Sequence, residues 1–327
     1  MVWQPGTKLK GDRYTIDSIL GGGRFGFTYL ARDRNGNRVV IKTPNDEIVN
    51  RADFDRLQEA FVREAVKLAK CNNPHIVKAE DPFKENGLWC LPMEYIDGPN
   101  LSRLSDRVLS EAEALCYVRQ IGEALKEVHK LGFLHRDVRP ENIILRRGEQ
   151  NAVLIDFGLA REIGDSLTAT RSEEISKGFS PLELYSSKAK PDERTDIYAL
   201  GATLYDLLTG TKPPDASDRK TSGAQLQFPA GMNPKIAKAI AWAMQLEMDD
   251  RPASVEAWLK RLPKVNQKGA IVVPEEKEKS FDRQFKIWSL VLGILTAIGV
   301  LIGIFADLDS LFEKTPSNPT PPPTNNP

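Results

Sequence analysis

The run His135-Arg136-Asp137-Val138-Arg139-Pro140-Glu141-Asn142, followed at a short distance by Asp156-Phe157-Gly158, holds the residue types that moving a phosphoryl group requires. Asp137 is a carboxylate suited to orienting a nucleophilic hydroxyl, and Asn142 and Asp156 carry hard oxygen donors suited to Mg²⁺. Upstream, Gly21-Gly22-Gly23-Arg24-Phe25-Gly26 lets the backbone approach an anion closely, and Lys42 ends the β-branched run Val39-Val40-Ile41. A G-x-G-x-x-G pattern alone is weak evidence, because dinucleotide-binding folds share it. Those folds require a helix after the glycines, whereas strand-like Phe27-Thr28-Tyr29-Leu30 follows here, so the loop reads as a β-hairpin lid over phosphates.

Taken in order, these motifs resemble those of eukaryotic-like (Hanks-type) Ser/Thr protein kinases of the bacterial membrane-anchored kind, which write G-x-G-x-x-G-x-V, V-A-I-K, H-R-D-L-K-P-x-N and D-F-G. The resemblance implies an α+β, two-lobed protein kinase fold with a β-rich N-lobe and a helical C-lobe. It implies ATP as phosphoryl donor, Mg²⁺ (or Mn²⁺) as cofactor, and proteins as substrates. In this set Asp137 orients the acceptor hydroxyl, Asn142 and Asp156 hold the metal, and Lys42 contacts the nucleotide phosphates. The ion-pair partner expected for Lys42 is Glu64, which lies ten residues before Pro74 as in the family pattern, with Glu59 the weaker alternative. Gly21, Gly23 and Gly26 cover the phosphates. Thr28 stands where the family has Val, and Val40 replaces Ala and narrows the adenine slot. Met93 is the implied gatekeeper, the backbone of Glu94 and Ile96 the implied adenine contact, and Ile144 completes the nucleotide-binding set.

Arg139 stands where Ser/Thr kinases carry the Lys that stabilises the transferring phosphoryl group. Arginine keeps that charge as a planar fork on a longer arm, so it joins Lys42 and Asp137 in the implied catalytic set. Ser176, seven residues before Glu183, matches the Ser/Thr that touches the catalytic Asp and contributes the P+1 contact in Ser/Thr kinases. Glu183 is expected to pair with Arg251, and Asp196 to brace the catalytic-loop backbone. Leu167-Thr168-Ala169-Thr170 resembles the T-x-T phosphorylation pattern, with Arg136 placed to meet a phosphate there. His135, His129 and His75 read as packed structural residues.

The elements that must position these groups are legible as periodicities. Tyr14-Thr15-Ile16 with Ile19-Leu20, Phe27 to Ala31 and Val39 to Lys42 read as strands, with Asn35-Gly36-Asn37 a hairpin signal. Phe54 to Lys70, Glu111 to Lys130, Thr195 to Leu208 and Pro234 to Met244 carry apolar residues at helical spacing. The kinase domain is therefore expected over 14–262.

Lys plus Arg equals Asp plus Glu, 45 against 45, so nothing in the balance favours a nucleic-acid partner. Cys71, Cys90 and Cys116 are isolated and read as small hydrophobes in a reducing compartment. Residues 287–305 carry no charge, and as a helix would cover about 28 Å, near the roughly 30 Å of a bilayer core. They are expected to form a single transmembrane helix after a 263–286 juxtamembrane linker, with a Pro-rich tail over 306–327 on the far side. Lys277, Lys279, Arg283 and Lys286 before the span, against Lys314 alone after it, put the kinase domain on the cytoplasmic side of a bacterial membrane. Gly299 and Gly303 form a G-x-x-x-G face that offers a homodimer contact, the kinase domain being the other candidate. A nucleotide-binding pseudokinase and a membrane-anchored scaffold are the alternatives. The intact Lys42, Asp137, Asn142 and Asp156 speak against the first, and the second explains none of the motifs.

Overall fold

A period of two along the first strands divides the N-terminal residues into two faces. In a computed structural model of the chain, which describes residues 2–23, 26–50, 52–104, 108–157, 176–186, 189–265 and 271–272, the strands are β1 (Lys8–Leu9), β2 (Tyr14–Gly23), β3 (Gly26–Asp33), β4 (Arg38–Thr43), β5 (Phe83–Glu85) and β6 (Leu88–Glu94). They form one antiparallel sheet in the order β1-β2-β3-β4-β6-β5. Tyr14, Ile16, Tyr29, Ala31 and Ile41 point to one face, where they pack with Trp3, Leu9, Phe83 and Cys90. The opposite face is set by register: Thr28 lies across from Lys42, Leu30 from Val40, and Val40 from Met93. Thr28, Val40, Lys42 and Met93 thus share one surface.

Residues 2–13 precede the expected start of the domain, yet Trp3 and Leu9 are buried in the sheet's core and Trp3 N donates to Tyr29 Oη at 3.3 Å. The N-lobe is larger than its motifs. A two-residue strand has no periodicity to read, which is why β1 escapes the sequence.

Between β4 and β5 lie α1 (Asp46–Val49) and α2 (Phe54–Ala69). Leu57, Ala60, Phe61, Glu64, Ala65 and Leu68 recur at helical spacing and form the buried face of α2. After β6 the chain turns helical: α3 (Glu111–Lys130), α4 (Glu193–Thr209), α5 (Ala216–Thr221), α6 (Pro234–Ala243) and α7 (Val255–Leu259). Between α3 and α4 the hairpin β7 (Ile143–Leu145) and β8 (Ala152–Leu154) follows the catalytic loop. A capping box between Ser110 and Glu113 starts α3, and Asp192 caps α4, which begins at Glu193, two residues before the start expected from periodicity. Gly201 lets α4 lie against α6, since a Cβ there would stand 2.6 Å from that of Ala243. Tyr198, Leu200, Leu115, Ile121, Leu125 and Trp258 fill the helical core.

The first residues of the expected linker belong with the folded unit, because β9 (Lys264–Val265) pairs antiparallel with β10 (Ile271–Val272). The compact unit runs from Met1 to Val273. Ile271 and Val272 therefore act as a strand within the stretch expected as linker. Among the described residues no helix is long and apolar enough to cross a membrane. The 287–305 span, its Gly299 and Gly303, the Pro-rich tail, Thr168, Thr170 and Gly158 lie outside the described residues.

Candidate active site

The catalytic loop is held from beneath by one carboxylate. Asp196, fully buried in the first turn of α4, accepts from His135 N at 2.9 Å, Arg136 N at 2.7 Å and His129 Nε2 at 2.8 Å. Arg136 adopts φ 63°, a left-handed conformation costing roughly 1–2 kcal/mol for a side-chain-bearing residue, and the paired bonds to Asp196 offset that cost. Burial works to raise the Asp196 pKa, but the hydrogen bond and charge of His129, with His135, outweigh it and hold the carboxyl below its ordinary value. Its stabilisation is therefore present above the unfolded value of about 4 and is lost as pH falls through the lower folded value. Asp196→Asn is expected to cost about 2 kcal/mol at pH 7, and the deficit should shrink at pH 3, as urea unfolding at the two pH values will measure.

His135 is fully buried and its hydrogen bonds define its tautomer. Nε2 donates to Ile155 O at 2.9 Å, and Nδ1 accepts from Asp137 N at 3.2 Å. Its ring meets Phe157 edge-on at 4.6 Å, and Phe157 in turn packs on Phe133. The imidazole is committed on both nitrogens and braces the loop, as its packing suggested.

Asp137 is presented by this brace with two defined neighbours. Ser176 Oγ donates to Oδ1 at 2.6 Å, and Asn142 Nδ2 donates to Oδ2 at 2.9 Å and to the Asp137 carbonyl at 2.8 Å. With its amide nitrogen so engaged, Asn142 has its side-chain oxygen for other work. Ile155 N bonds Asn142 O at 2.9 Å, tying the catalytic loop to the residue before Asp156. Asp156, at φ 57°, accepts from Lys42 Nζ at 3.0 Å. The structure thus brings Lys42 to Asp156, and Ser176 and Asn142 to Asp137.

Glu64 lies on the buried face of α2, 5% exposed, whereas Glu59 is on the exposed side. Gly21 and Gly23 form the end of β2, with Gly21 opposite Thr28 and Gly23 opposite Gly26. A Cβ at Gly26 would stand 2.1 Å from Thr43 O, so only glycine fits there. The hairpin is strand followed by strand, as the residues after the glycines indicate. Glu94 N–H is engaged by Lys78 O and its carboxylate by Arg146 at 2.7 Å, Ile96 is buried, and Ile144 pairs with Val153 in the β7–β8 hairpin.

Arg139 makes contacts that its motif position does not announce. Nε and Nη2 grip Glu141 at 2.9 and 2.8 Å, while Nη1 donates to Ser176 Oγ at 3.1 Å. The guanidinium lies 5.7 Å from the Phe179 ring centroid, and the charge of buried Asp206 on α4 adds to the attraction. The Glu141 hydrogen bond raises the Arg139 pKa against the opposing effect of burial. Burial also acts to raise Glu141, but the Arg139 bond and charge prevail and hold it below the usual carboxylate range. Glu141, Phe179 and Asp206 were not legible as site residues. The one available signal was an acid two positions after an arginine across Pro140, where the extended Arg139 backbone and the turn at Pro140–Asn142 bring the pair together.

The segment carrying Ser176 is anchored by a buried pair: Glu183 meets Arg251 at 2.6 and 2.9 Å, and Thr195 Oγ1 donates to Glu183 at 2.9 Å.

Residues 14–264 match the family model described as the protein kinase domain. Among curated proteins, the chain is 32% identical over 273 residues to serine/threonine-protein kinase D of Synechocystis, covering 79% of this chain and 53% of that one. It is 34% identical over 206 residues to serine/threonine-protein kinase PknJ of Mycobacterium tuberculosis, covering 61% of this chain and 34% of the relative. The chain thus spans about half or less of the length of these relatives. Among solved structures it is similar to the apo form of PpkA-294, with a TM-score of 0.67 at 26% identity, covering 80% of this chain and 99% of that one. The PknI kinase domain of M. tuberculosis gives a TM-score of 0.60 at 26% identity, with 80% and 97% covered.

Proposed function

The chain belongs to the protein kinase family, and from that premise we propose that it transfers the γ-phosphoryl group of ATP to Ser and Thr hydroxyls of proteins. The observation that carries this reading is the Asp137 carboxylate, with Ser176 Oγ on one oxygen and Asn142 Nδ2 on the other. An ionised carboxylate is an acceptor only, so Asp137 can accept a hydrogen bond from an incoming hydroxyl and take its proton. The Ser176 contact favours Ser/Thr acceptors, the specificity that the relatives' names also carry.

The residues present fit a divalent metal. Asn142 has its amide oxygen turned from the two bonds made by its nitrogen, and Asp156 is 44% exposed with one oxygen on Lys42. Two hard oxygen donors suit Mg²⁺, which keeps several non-protein oxygens in its shell. When bound, Mg²⁺ supplies charge neutralisation to phosphate oxygens. Lys42, on the same sheet face as Thr28 and Val40, brings the cation for the phosphate chain, and Asp156 holds that ammonium in place. Arg139 is held by Glu141 and Ser176, so its role here is to position Ser176 against Asp137. The test is transfer from Mg·ATP to Ser and Thr peptides by the purified chain; no transfer to any acceptor would overturn the reading.

The same proposal extends to regulation and place. Autophosphorylation is expected at Thr170 or Thr168, and mass spectrometry after incubation with Mg·ATP will find phosphate there; phosphate confined to Ser166 or Ser172 would sink the assignment. The uncharged run 287–305 supports a single membrane span with the kinase domain cytoplasmic. Full-length protein should then resist carbonate extraction from membranes, and its release would remove the span. Association through Gly299 and Gly303 predicts that substituting both with Ile weakens dimerisation in a membrane reporter; unchanged association would exclude that face.

A further inference from the structure

Among the described residues, Glu94, Asp97 and Glu141 are each paired with an arginine of the same chain. Two stretches lie side by side, 94–100 and 137–147, joined by Leu145 N to Pro99 O at 2.9 Å and Arg147 N to Asp97 O at 2.8 Å. Apart from Asp137, their carboxylates are Glu94, Asp97 and Glu141. Arg146 holds Glu94 at 2.7 Å, Arg147 holds Asp97 at 3.2 Å, and Arg139 grips Glu141 through two nitrogens. Arginine's fork makes the last pair bidentate, which the ammonium of a lysine at this position could not do.

The other wall of the acceptor site has the opposite character. Lys177 follows Ser176 directly and is exposed. Gly178, at φ 85°, packs so tightly on the neighbouring loop that a Cβ would stand 2.6 Å from Pro213 O and 3.6 Å from Lys212 Cβ. That contact sets the loop carrying Lys212 against the residue that follows Lys177. The Lys212 side chain is 54% exposed, and its ammonium is 4.0 Å from Glu141, which Arg139 already neutralises. Among the described residues, Asp215 on the same loop accepts from Gly178 N and Tyr185 Oη.

We propose that the wall formed by Lys177 and Lys212 selects acidic substrates, with Glu, Asp or a phosphorylated residue following the acceptor Ser or Thr. A basic residue at that place meets two cations and finds Glu141 closed to it by Arg139. An acidic one gains two partly exposed ion pairs. This specificity rests on the kinase reading, so its test uses binding as well as transfer. Fluorescence anisotropy of Ser peptides that differ only in Glu, Ala or Lys at the two positions after the acceptor should rank Glu above Ala above Lys. The span from Glu to Lys should be roughly fivefold or more in affinity. In Lys177→Glu/Lys212→Glu the order should invert. The ratio within one variant is the readout, so a folding defect that weakens every peptide alike cannot imitate it. Preference for Glu peptides without phosphoryl transfer would remove the kinase reading and leave this wall standing. Equal binding of the three peptides, or an order unchanged in the double variant, would overturn the proposal whatever the transfer rate.

Discussion

Asp137→Asn should lower phosphoryl transfer by about a thousandfold while leaving the thermal midpoint within a few degrees of the parent, because general-base groups contribute roughly 10²–10⁴ in rate. Asparagine matches the volume of aspartate, and its oxygen can still accept from Ser176. What it cannot do is take a proton from an acceptor hydroxyl. Its amide nitrogen also faces Asn142 Nδ2, a donor that now sits 2.9 Å from Asp137 Oδ2, so a hydrogen bond is replaced by two donors in opposition. Nucleotide affinity should change little, since Lys42 and Asp156 pair with each other and not with Asp137. Initial rates on a Ser peptide, taken beside a melting curve and a nucleotide titration, separate these effects. A variant keeping more than about a tenth of the rate would point to another residue as the base. A variant that melts far lower would mean that Asp137 is part of the scaffold.

The N-lobe strands and the C-lobe helices were legible because their periods differ, two against 3.6, and because a strand after the glycines excludes the dinucleotide arrangement. The sharing of one sheet face by Thr28, Val40, Lys42 and Met93 follows from that alternation once the register is known. Glu64 is read from its spacing to Pro74, and its burial appears only with the helix, where it falls on the buried face of α2 and Glu59 does not. Contacts made by loops were not. No period relates Arg139 to Glu141 or to Ser176, 37 residues away; their meeting depends on the extended backbone at Arg139 and on where the Glu183–Arg251 anchor sets down the second segment. Trp3 is a similar case, since its partner Tyr29 lies 26 residues on and the intervening β1 strand has two residues. Sequence reads local order well, and it reads a non-local polar contact only where a motif already names both ends.

That anchor is the place where a single substitution should unfold the most. Arg251→Met is expected to cost about 4 kcal/mol, the range for removing one partner of a buried ion pair, and to lower the melting midpoint by about 10 °C in a domain of this size. The side chains of Arg251 and Glu183 are 0% and 5% exposed, so little water reaches the carboxylate once its partner is gone. The guanidinium does more than neutralise it. Nε donates to Gln245 O at 2.7 Å, Nη2 to Leu246 O at 3.0 Å and Nη1 to Arg194 O at 3.3 Å, and the plane lies over the Tyr198 ring. Methionine fills the volume but leaves those carbonyls and the Glu183 charge without donors, save the Thr195 hydroxyl. Adding Glu183→Gln should therefore recover part of the loss, because the neutral amide no longer carries a buried charge. Calorimetric melting of the single and double variants measures both terms. A single variant within about 1 kcal/mol of the parent would mean that the pair is solvated in the working protein. A double variant no better than the single would assign the cost to the carbonyls that Arg251 holds, and not to the charge it answers.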